Sequence, residues 1–427
     1  MIAAATAGDT IVALSSGALP AAIAIVRTSG PAALEAAERI AGSIDRSRTA
    51  FLRTLRDPRD GALIDRAIIL SFTAPNTVTG EDIVEYQCHG GKAVVSALIA
   101  ALISVDGIRG AQPGEFTRRA LTNGKIDLTQ AEGLAELLEA ETEAQRKSAL
   151  ARSQGELRIR LEQWRGEVLA CSADAEVAID YSDEDHGNSA GGVAPTLRRL
   201  SREMSEMLDS PRVEKLRDGV RVVIAGPPNS GKSSLFNALA GQDRAIVTAI
   251  PGTTRDRIEA PLAMEGVALI LVDTAGLRRT EDPVERIGVD IARSEIAEAD
   301  VLLWLGTVDQ PEHPRLLRVA TKSDLEARSF GLPVSCLDQS GIPELKSSIA
   351  AMAAGITPAA SQLALNAREA DLLAVCRDAL DRAAGADDLV LAAEDLRSAR
   401  YSIDMISGRA GVDDLLDSLF ARYCLGK

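Results

Sequence analysis

The chain begins with short apolar runs separated by polar turns. The runs Ala22–Arg27, Ala67–Phe72 and Asp82–Gln87 have the length and the β-branched content of strands. An apolar stretch near 94–103 is typical of a helix. This mixture of strands and helices predicts an α+β domain over residues 1–125.

In residues 126–217 this pattern gives way to apolar residues that recur at helical spacing. Between 128 and 179 the sequence is dominated by Ala, Leu, Glu and Arg, lacks Pro, and repeats leucine at helical spacing. An acidic stretch at 181–188 interrupts the period, and a further helix is predicted over 195–216. Long helices of a bundle are therefore expected here.

Residues 359–427 return to the same helix-forming composition. The simplest interpretation is one discontinuous α-helical bundle domain, formed by this segment together with residues 126–217. Residues 218–358 would then be a guest domain inserted into the bundle, which is tolerated when the two ends of the guest lie close together. The fold class predicted for the whole chain is multidomain.

The inserted segment opens with a glycine-rich loop between a predicted strand and a predicted helix. The apolar run Val220–Ala225 precedes residues 226–233, which read G-x-x-x-x-G-K-S. Backbone N–H groups at the start of a helix bind phosphate. Lys232 would reach the β- and γ-phosphates and the Ser233 hydroxyl would bind Mg²⁺. The sequence therefore predicts a Ras-like α/β P-loop domain.

Two further motifs point to the γ-phosphate. A strand-like run ends in D-x-x-G at Asp273–Gly276, where the Asp273 carboxylate would support the Mg²⁺ shell and the Gly276 N–H would meet the γ-phosphate. Thr254, in the stretch 252–256, is positioned to bind Mg²⁺ only when the γ-phosphate is present. That is the ordered-versus-released switch of this class of enzyme.

The choice of base is predicted from two later motifs. In Thr321–Asp324 the Asp324 carboxylate can accept hydrogen bonds from guanine N1–H and the exocyclic amine, whereas adenine would leave it unpaired. The first residue of this motif is usually Asn; Thr321 offers a hydroxyl but no amide. The residues predicted to bind GTP are Asn229, Ser230, Gly231, Lys232, Ser233, Ser234, Thr248, Ala249, Ile250, Pro251, Gly252, Thr253, Thr254, Asp273, Thr274, Ala275, Gly276, Thr321, Lys322, Ser323, Asp324, Ser335, Cys336 and Leu337.

The residue after D-x-x-G bears on which group orients the attacking water. Ras-type enzymes have Gln there to orient the attacking water. This chain has Leu277, which cannot do so. Another group must act, either an arginine that stabilises the transition-state charge or a carboxylate that orients water. The candidates are Arg255, Arg278, Arg279, Glu281, Asp282 and Glu285.

Composition and charge limit the kinds of molecule and environment expected for this chain. The 427 residues carry a net charge of −15 and only 3% aromatic residues, so neither a general basic field nor a base-stacking platform is expected. The five cysteines are scattered and the three histidines dispersed, which argues against disulfides and against a zinc site. No apolar run approaches the roughly 18 residues of a membrane span. A cytoplasmic protein is expected.

The motifs together resemble the MnmE (TrmE) family of tRNA modification GTPases over nearly the whole chain. The chain also ends in Cys-Leu-Gly-Lys, similar to the family's C-terminal Cys-x-Gly-Lys. The flanking motifs are more specific than those of the GTPase domain. The matching stretches are Pro228–Ser234, Ile246–Asp256, Asp273–Arg278 and Val284–Gly288, and outside the guest domain Thr79–Glu85, His89–Gly91, Pro113–Ala120 and Asn123–Leu128.

The resemblance implies a potassium-assisted GTPase whose GTPase domains dimerise across the nucleotide. K⁺ would be held by Asn229, Thr248, Ile250 and Thr253, and Mg²⁺ by Ser233 and Thr254. A bridging monovalent cation can supply the charge that an arginine finger would supply. Glu285 matches the family's catalytic glutamate, which would orient the water in place of the glutamine missing at Leu277.

The resemblance also implies a folate site in an N-terminal domain that takes part in dimerisation. The ligand would be 5-formyl- or 5,10-methylene-tetrahydrofolate, a donor of one carbon. The matching residues are Arg27, Glu85, Lys125 and Lys427. Arg and Lys suit the glutamyl carboxylates, and Glu85 suits the donor edge of the pterin. Without the resemblance all four would be interpreted as surface ion pairs.

The implied reaction adds an aminomethyl or carboxymethylaminomethyl group to C5 of the wobble uridine of certain tRNAs. The homodimer would act in a heterotetramer or larger complex with an FAD-containing partner, GidA (MnmG), which would carry much of the RNA contact. Cys424 is a buried structural thiol or, as the resemblance favours, a thiol near the modification site; prenylation does not fit the terminal Lys427. The alternatives are a ribosome-assembly or regulatory GTPase, and a folate enzyme with a vestigial GTPase.

Overall fold

The computed structural model describes residues 8–46, 48–180, 193–241, 258–274, 294–307, 310–325, 330–359, 362–410 and 426. The described residues fall into two compact units. One lies within Met1–Glu132 and Ser407–Lys427, and the other within Gly133–Ile406. The first unit has one main hydrophobic core, and the second contains a helical core and a separate core around a parallel sheet.

The N-terminal unit is built on a six-stranded sheet. Its strands are β1 (Thr10–Leu14), β2 (Ala21–Ser29), β3 (Phe51–Arg56), β4 (Leu63–Phe72), β5 (Ile83–Gly90) and β6 (Ile108–Gly110). Their order is β3-β4-β5-β2-β1-β6, and each pairing is antiparallel except that of β1 with β6. The predicted strands near residues 22, 67 and 82 are confirmed as β2, β4 and β5.

Helices cover this sheet and lead out of it. They are α1 (Ala33–Ala41), α2 (Lys92–Ile103), α3 (Glu115–Thr122) and α4 (Leu128–Glu139). Ala37 and Ile40 of α1 and Leu98 of α2 are buried in one cluster with the sheet residues Val26 and Tyr86. The α+β prediction for this part of the chain is confirmed.

The helical part of the second unit comes from both sides of the inserted segment. Its helices are α5 (Glu143–Ser153), α6 (Glu156–Asp180), α7 (Ala194–Leu208), α8 (Val213–Arg217), α11 (Ala367–Gly385) and α12 (Leu389–Ser407). Trp164 of α6 and Leu200 of α7 share a core with Leu373 of α11 and Leu396 of α12. The prediction of a discontinuous helical bundle is thereby confirmed.

The single helix predicted over 195–216 is wrong. The chain leaves the helix after Leu208 and re-enters one at Val213. Pro211 explains the break, because it has no N–H to donate and disfavours helical geometry at the residue before it, Ser210. The short helix α8 that results is the last element before the guest domain.

The guest domain is a second six-stranded sheet flanked by helices. Its strands are β7 (Val220–Ala225), β8 (Ile258–Met264), β9 (Val267–Asp273), β10 (Val301–Trp304), β11 (Leu316–Thr321) and β12 (Leu332–Val334), and its helices are α9 (Lys232–Ala240) and α10 (Ile342–Ala354). The strand order is β12-β11-β10-β7-β9-β8, parallel except for β8 with β9. Five of the six β7 residues are buried, as expected for a central parallel strand.

The two chain segments that connect the bundle to the guest domain are hydrogen-bonded to each other and to α5. Val213 N donates to Leu365 O at 3.1 Å. The Gln145 amide on α5 donates from Nε2 to the carbonyls of Leu216 and Arg217, each at 3.0 Å. Gln145 also closes a capping box with Thr142 at the start of α5. These bonds hold α8 against the bundle at the point where the guest domain begins.

Candidate GTP-binding site

The carboxyl ends of the parallel strands bring the predicted motifs to one edge of the sheet. Ala225, the last residue of β7, is followed by the glycine-rich loop, and Asp273 ends the neighbouring strand β9 in register with Ile224. Thr321 ends β11 in register with Val334 of β12. Ligands of open α/β sheets bind at such an edge, where the strand order reverses beside the central strand.

The loop after β7 has the backbone geometry of an anion cradle. Asn229 has φ +60° and Gly231 has φ +92°, so two left-handed residues turn the loop into the N-terminus of α9. Alternation of this kind aims successive N–H groups at one point. Lys232 folds back over the loop, and its Nζ donates to Gly226 O at 3.1 Å and to Pro227 O at 2.9 Å. A phosphate group could take over these bonds.

The loop is tied directly to the base-recognition motif. Thr321 Oγ1 donates to Ser230 O at 2.5 Å, and Lys322 Nζ donates to Asn229 O at 3.1 Å. A side chain at Gly231 would come within 3.4 Å of Thr321 Oγ1. These links cannot be predicted from the motifs, because residues 91 to 93 positions apart become neighbours only through the sheet order.

A cavity of about 500 Å³ opens beside this junction. Its size lies within the range of small-ligand sites. Burial, and then the negative charge of Asp324, raise the pKa of the Cys336 thiol, which therefore stays neutral. The cavity is lined by Gly231, Ser234, Asn237, Ala238, Thr321, Lys322, Asp324, Leu325, Cys336, Leu337 and Gln339.

The turn after β12 is held by its own side chain. Ser335 is fully buried, and its Oγ accepts from the backbone N–H groups of Leu337 at 3.3 Å and Asp338 at 3.4 Å. The Ser335 N–H bonds to Ser340 O. The Cys336 N–H makes no hydrogen bond with any described residue. This leaves the Cys336 N–H as a backbone donor that a ligand could use, and the Leu337 side chain is exposed.

The end of β9 is buried behind the loop. Asp273 is only 2% exposed, and the hydroxyl of Thr274 donates to Ile224 O at 2.9 Å. Thr274 therefore anchors the strand end with its side chain. Asp273 remains the acid next to the phosphate loop.

Part of the predicted site lies outside the described residues. This applies to the candidate catalytic groups, to the K⁺ loop and to the C-terminal residues. The positions concerned are Thr248, Ala249, Ile250, Pro251, Gly252, Thr253, Thr254, Arg255, Ala275, Gly276, Leu277, Arg278, Arg279, Glu281, Asp282, Glu285, Cys424 and Lys427.

In the N-terminal unit two of the predicted folate residues face each other across a strand pair. Arg27 of β2 is in register with Glu85 of β5, and the guanidinium bonds Glu85 Oε1 through Nε at 2.8 Å and through a terminal nitrogen at 2.7 Å. The Arg27 guanidinium also lies 5.7 Å from the ring centre of Phe116. Oε2 of Glu85 makes no hydrogen bond with any described residue and could accept one from a ligand.

Lys125 lies near the end of the same strand β2. Its Cε approaches to 3.0 Å of the position a side chain at Gly80 would take. The neighbouring Asn123 donates to Thr79 O at 2.6 Å, and the Thr79 hydroxyl bonds that of Ser29, the last residue of β2. Lys125 makes no ion pair with any described residue, so its charge is available to an anionic ligand.

Among the described residues no helix has the length and apolarity required to cross a membrane. The same residues contain no cluster of three or more His, Cys, Asp or Glu side chains that could bind a metal ion.

Comparison with known proteins identifies the family. Residues 10–125 match the family profile described as "GTP-binding protein TrmE N-terminus", and residues 128–424 match "MnmE helical domain". A "tRNA modification GTPase MnmE" of Rhizorhabdus wittichii is 48% identical over 99% of this chain and 98% of its own length. Proteins of the same description from Erythrobacter litoralis and Novosphingobium aromaticivorans are 46% and 44% identical, each over 98% of this chain and all of their own length.

The two profiles and these near full-length relatives point to one family. The resemblance first seen in scattered motifs thus extends over the whole chain. The chain belongs to the MnmE family of tRNA modification GTPases.

Proposed function

We propose that the GTP hydrolysed by this chain binds across the glycine loop and the cavity beside Asp324. The observation that carries the proposal is the junction at the sheet edge, where Thr321 and Lys322 hold the phosphate loop against the base-recognition motif. Phosphate and base would then be bound by one preassembled unit. Guanine would be selected by Asp324, whose carboxylate would have no donors to bind on adenine.

The phosphate end depends on groups already aimed at the loop. Lys232 would exchange its two carbonyl acceptors for the β- and γ-phosphates. Ser233 and Thr254 would hold Mg²⁺, with Asp273 supporting the shell, and the metal would neutralise the charge that develops on the phosphates. The N-terminus of α9 adds its dipole to this attraction.

Hydrolysis in this proposal is potassium-stimulated and activated by dimerisation. Asn229, Thr248, Ile250 and Thr253 would hold K⁺, which supplies positive charge where an arginine finger would otherwise be needed. Asn229 fits such a role, because it is exposed at the apex of the loop and its side chain makes no hydrogen bond with any described residue. Glu285 would orient the attacking water in place of the glutamine missing at Leu277.

The N-terminal unit would bind a formyl- or methylene-tetrahydrofolate. The free oxygen of Glu85 could accept from the pterin, while Arg27 and Lys125, with Lys427, could bind the glutamyl carboxylates. With an FAD-containing GidA (MnmG) partner, the dimer would use this one-carbon unit to modify the wobble uridine. The net charge of −15 favours a partner that carries much of the tRNA contact.

The hydrolysis mechanism is tested by steady-state GTP turnover of the full chain in KCl and in NaCl at equal ionic strength. Turnover is expected to be faster in KCl. Glu285→Ala should abolish turnover while GDP affinity stays nearly unchanged, and Glu281→Ala is the matched carboxylate control that should keep it. Equal rates in the two salts would rule out the cation mechanism, and a fully active Glu285→Ala chain would rule out the assigned water-orienting residue.

A further inference from the structure

The hydroxyl of Thr321 has one hydrogen, which it donates to a backbone carbonyl of the phosphate loop. Thr321 is 2% exposed, and Oγ1 donates to Ser230 O at 2.5 Å. A hydroxyl can still accept through its lone pairs, but it has no second hydrogen to give. Thr321 nevertheless lines the cavity in which the base would lie.

Guanine presents acceptors and donors that this cavity must match. N7 and O6 are acceptors, whereas N1–H and the exocyclic amine are donors. The carboxylate of Asp324 suits the donors, and the Cys336 N–H suits O6. N7 needs a donor, and the Thr321 hydroxyl cannot provide one while it holds the phosphate loop.

Two other side-chain donors around the cavity are directed to backbone carbonyls: Lys322 Nζ donates to Asn229 O, and Gln339 Nε2 donates to Cys336 O at 2.9 Å. The Ser234 hydroxyl and the Asn237 amide also line the cavity, but α9 carries them and the base-recognition motif does not. An asparagine at position 321 would differ from Thr321, because its amide has two hydrogens, one for the loop carbonyl and one for the base.

We infer that the base-recognition motif of this chain gives no hydrogen bond to guanine N7, and that Thr321 is the residue responsible for this. The inference rests on the proposal that GTP binds in this cavity. Thr321 keeps the loop-anchoring role of the motif's first residue and gives up base recognition. Guanine selection then depends on Asp324 and on the backbone of the 335–337 turn.

The test compares GDP with 7-deaza-GDP, in which a C–H group replaces N7 and the other edges are unchanged. Affinities are measured on the full chain by displacement of a fluorescent GDP analogue in the presence of Mg²⁺. The wild-type chain should bind the two nucleotides within about twofold of each other. In Thr321→Asn, GDP should be preferred by about 3- to 10-fold, the value of one neutral hydrogen bond.

Thr321→Val serves as the second variant, because it removes the loop anchor without adding a base contact. It should weaken GDP and 7-deaza-GDP by the same factor. A wild-type chain that binds 7-deaza-GDP more than about fivefold less tightly than GDP would overturn the inference, as would a Thr321→Asn chain with no preference. A wild-type chain that binds neither nucleotide would contradict the proposed site itself.

Discussion

Arg152 and Glu369 form a buried two-point ion pair between residues 217 positions apart in the sequence. The two terminal nitrogens of Arg152 bond the two oxygens of Glu369 at 3.1 and 2.9 Å, and the side chains are 1% and 0% exposed. Burial alone would raise the pKa of Glu369, but the charge and hydrogen bonds of Arg152 outweigh it and hold the pKa below its usual range. The pair joins α5 to α11, and so connects the two halves of the discontinuous bundle.

Removing one partner of this pair should strongly lower the stability of the bundle. Arg152→Met would leave the buried Glu369 carboxylate without its two-point partner and would also remove the contact of Arg152 Nε with Glu136 at 3.2 Å, so the free energy of unfolding of the bundle should fall by about 3–5 kcal/mol. Urea unfolding followed by Trp164 fluorescence measures the bundle specifically in a Trp304→Phe background, because these are the two tryptophans of the chain.

Arg165→Met is the matched control for that experiment. Arg165 also pairs across the two halves of the bundle, with Asp404 at 2.6 Å, but its side chain is 28% exposed. Loss of such a partly solvated pair should cost less than about 1 kcal/mol. Equal losses for the two variants would show that the buried pair has no special part in joining the halves.

The hydrogen bonds of Gln145 between the bundle and the start of the guest domain lead to a second prediction. Gln145→Leu would leave the carbonyls of Leu216 and Arg217 without their donor and would break the capping box at the start of α5. The free energy of unfolding should fall by about 1–3 kcal/mol. Gln362→Leu is the control, because its amide makes a solvent-exposed hydrogen bond to the Ser210 hydroxyl that water can replace. If both variants unfold like the wild type, Gln145 does not fix α8.

Base selection can be redirected by one substitution. Asp324→Asn should weaken GDP binding at least about 100-fold, because an amide replaces the carboxylate acceptor of the guanine donors. The same amide can donate to the C2 carbonyl of xanthine, so binding of XDP should increase. Asp338→Asn in the turn after β12 should leave both affinities within about twofold, since Asp338 bonds Ser340 and does not line the cavity. An Asp324→Asn chain that still prefers GDP would place base recognition elsewhere.

The sequence predicted the motifs well because phosphate and base binding need particular residue types at fixed spacing. The strand before the loop and Asp273 at the end of β9 are where the hydrophobic pattern placed them. It also predicted the discontinuous bundle from composition alone. It missed the helix break at Pro211, because the apolar pattern continues through it.

The sequence did not predict which groups the individual side chains would bond to. The motif at 321–324 identified Thr321 as a variant of the usual Asn, but its bond to Ser230 depends on the neighbouring positions of the loop and β11 in the folded sheet. The sequence likewise assigned Arg27 and Glu85 to one pocket by resemblance, and only the register of β2 with β5 reveals that they pair with each other.

We have proposed that this chain is the GTPase component of wobble-uridine modification. The most direct measurement is mass-spectrometric nucleoside analysis of tRNA from a strain that lacks the chain. The aminomethyl and carboxymethylaminomethyl groups at C5 of the wobble uridine should be lost, and should be restored by the wild-type chain and not by Lys232→Ala. Unchanged wobble uridines in the deletion strain would contradict it.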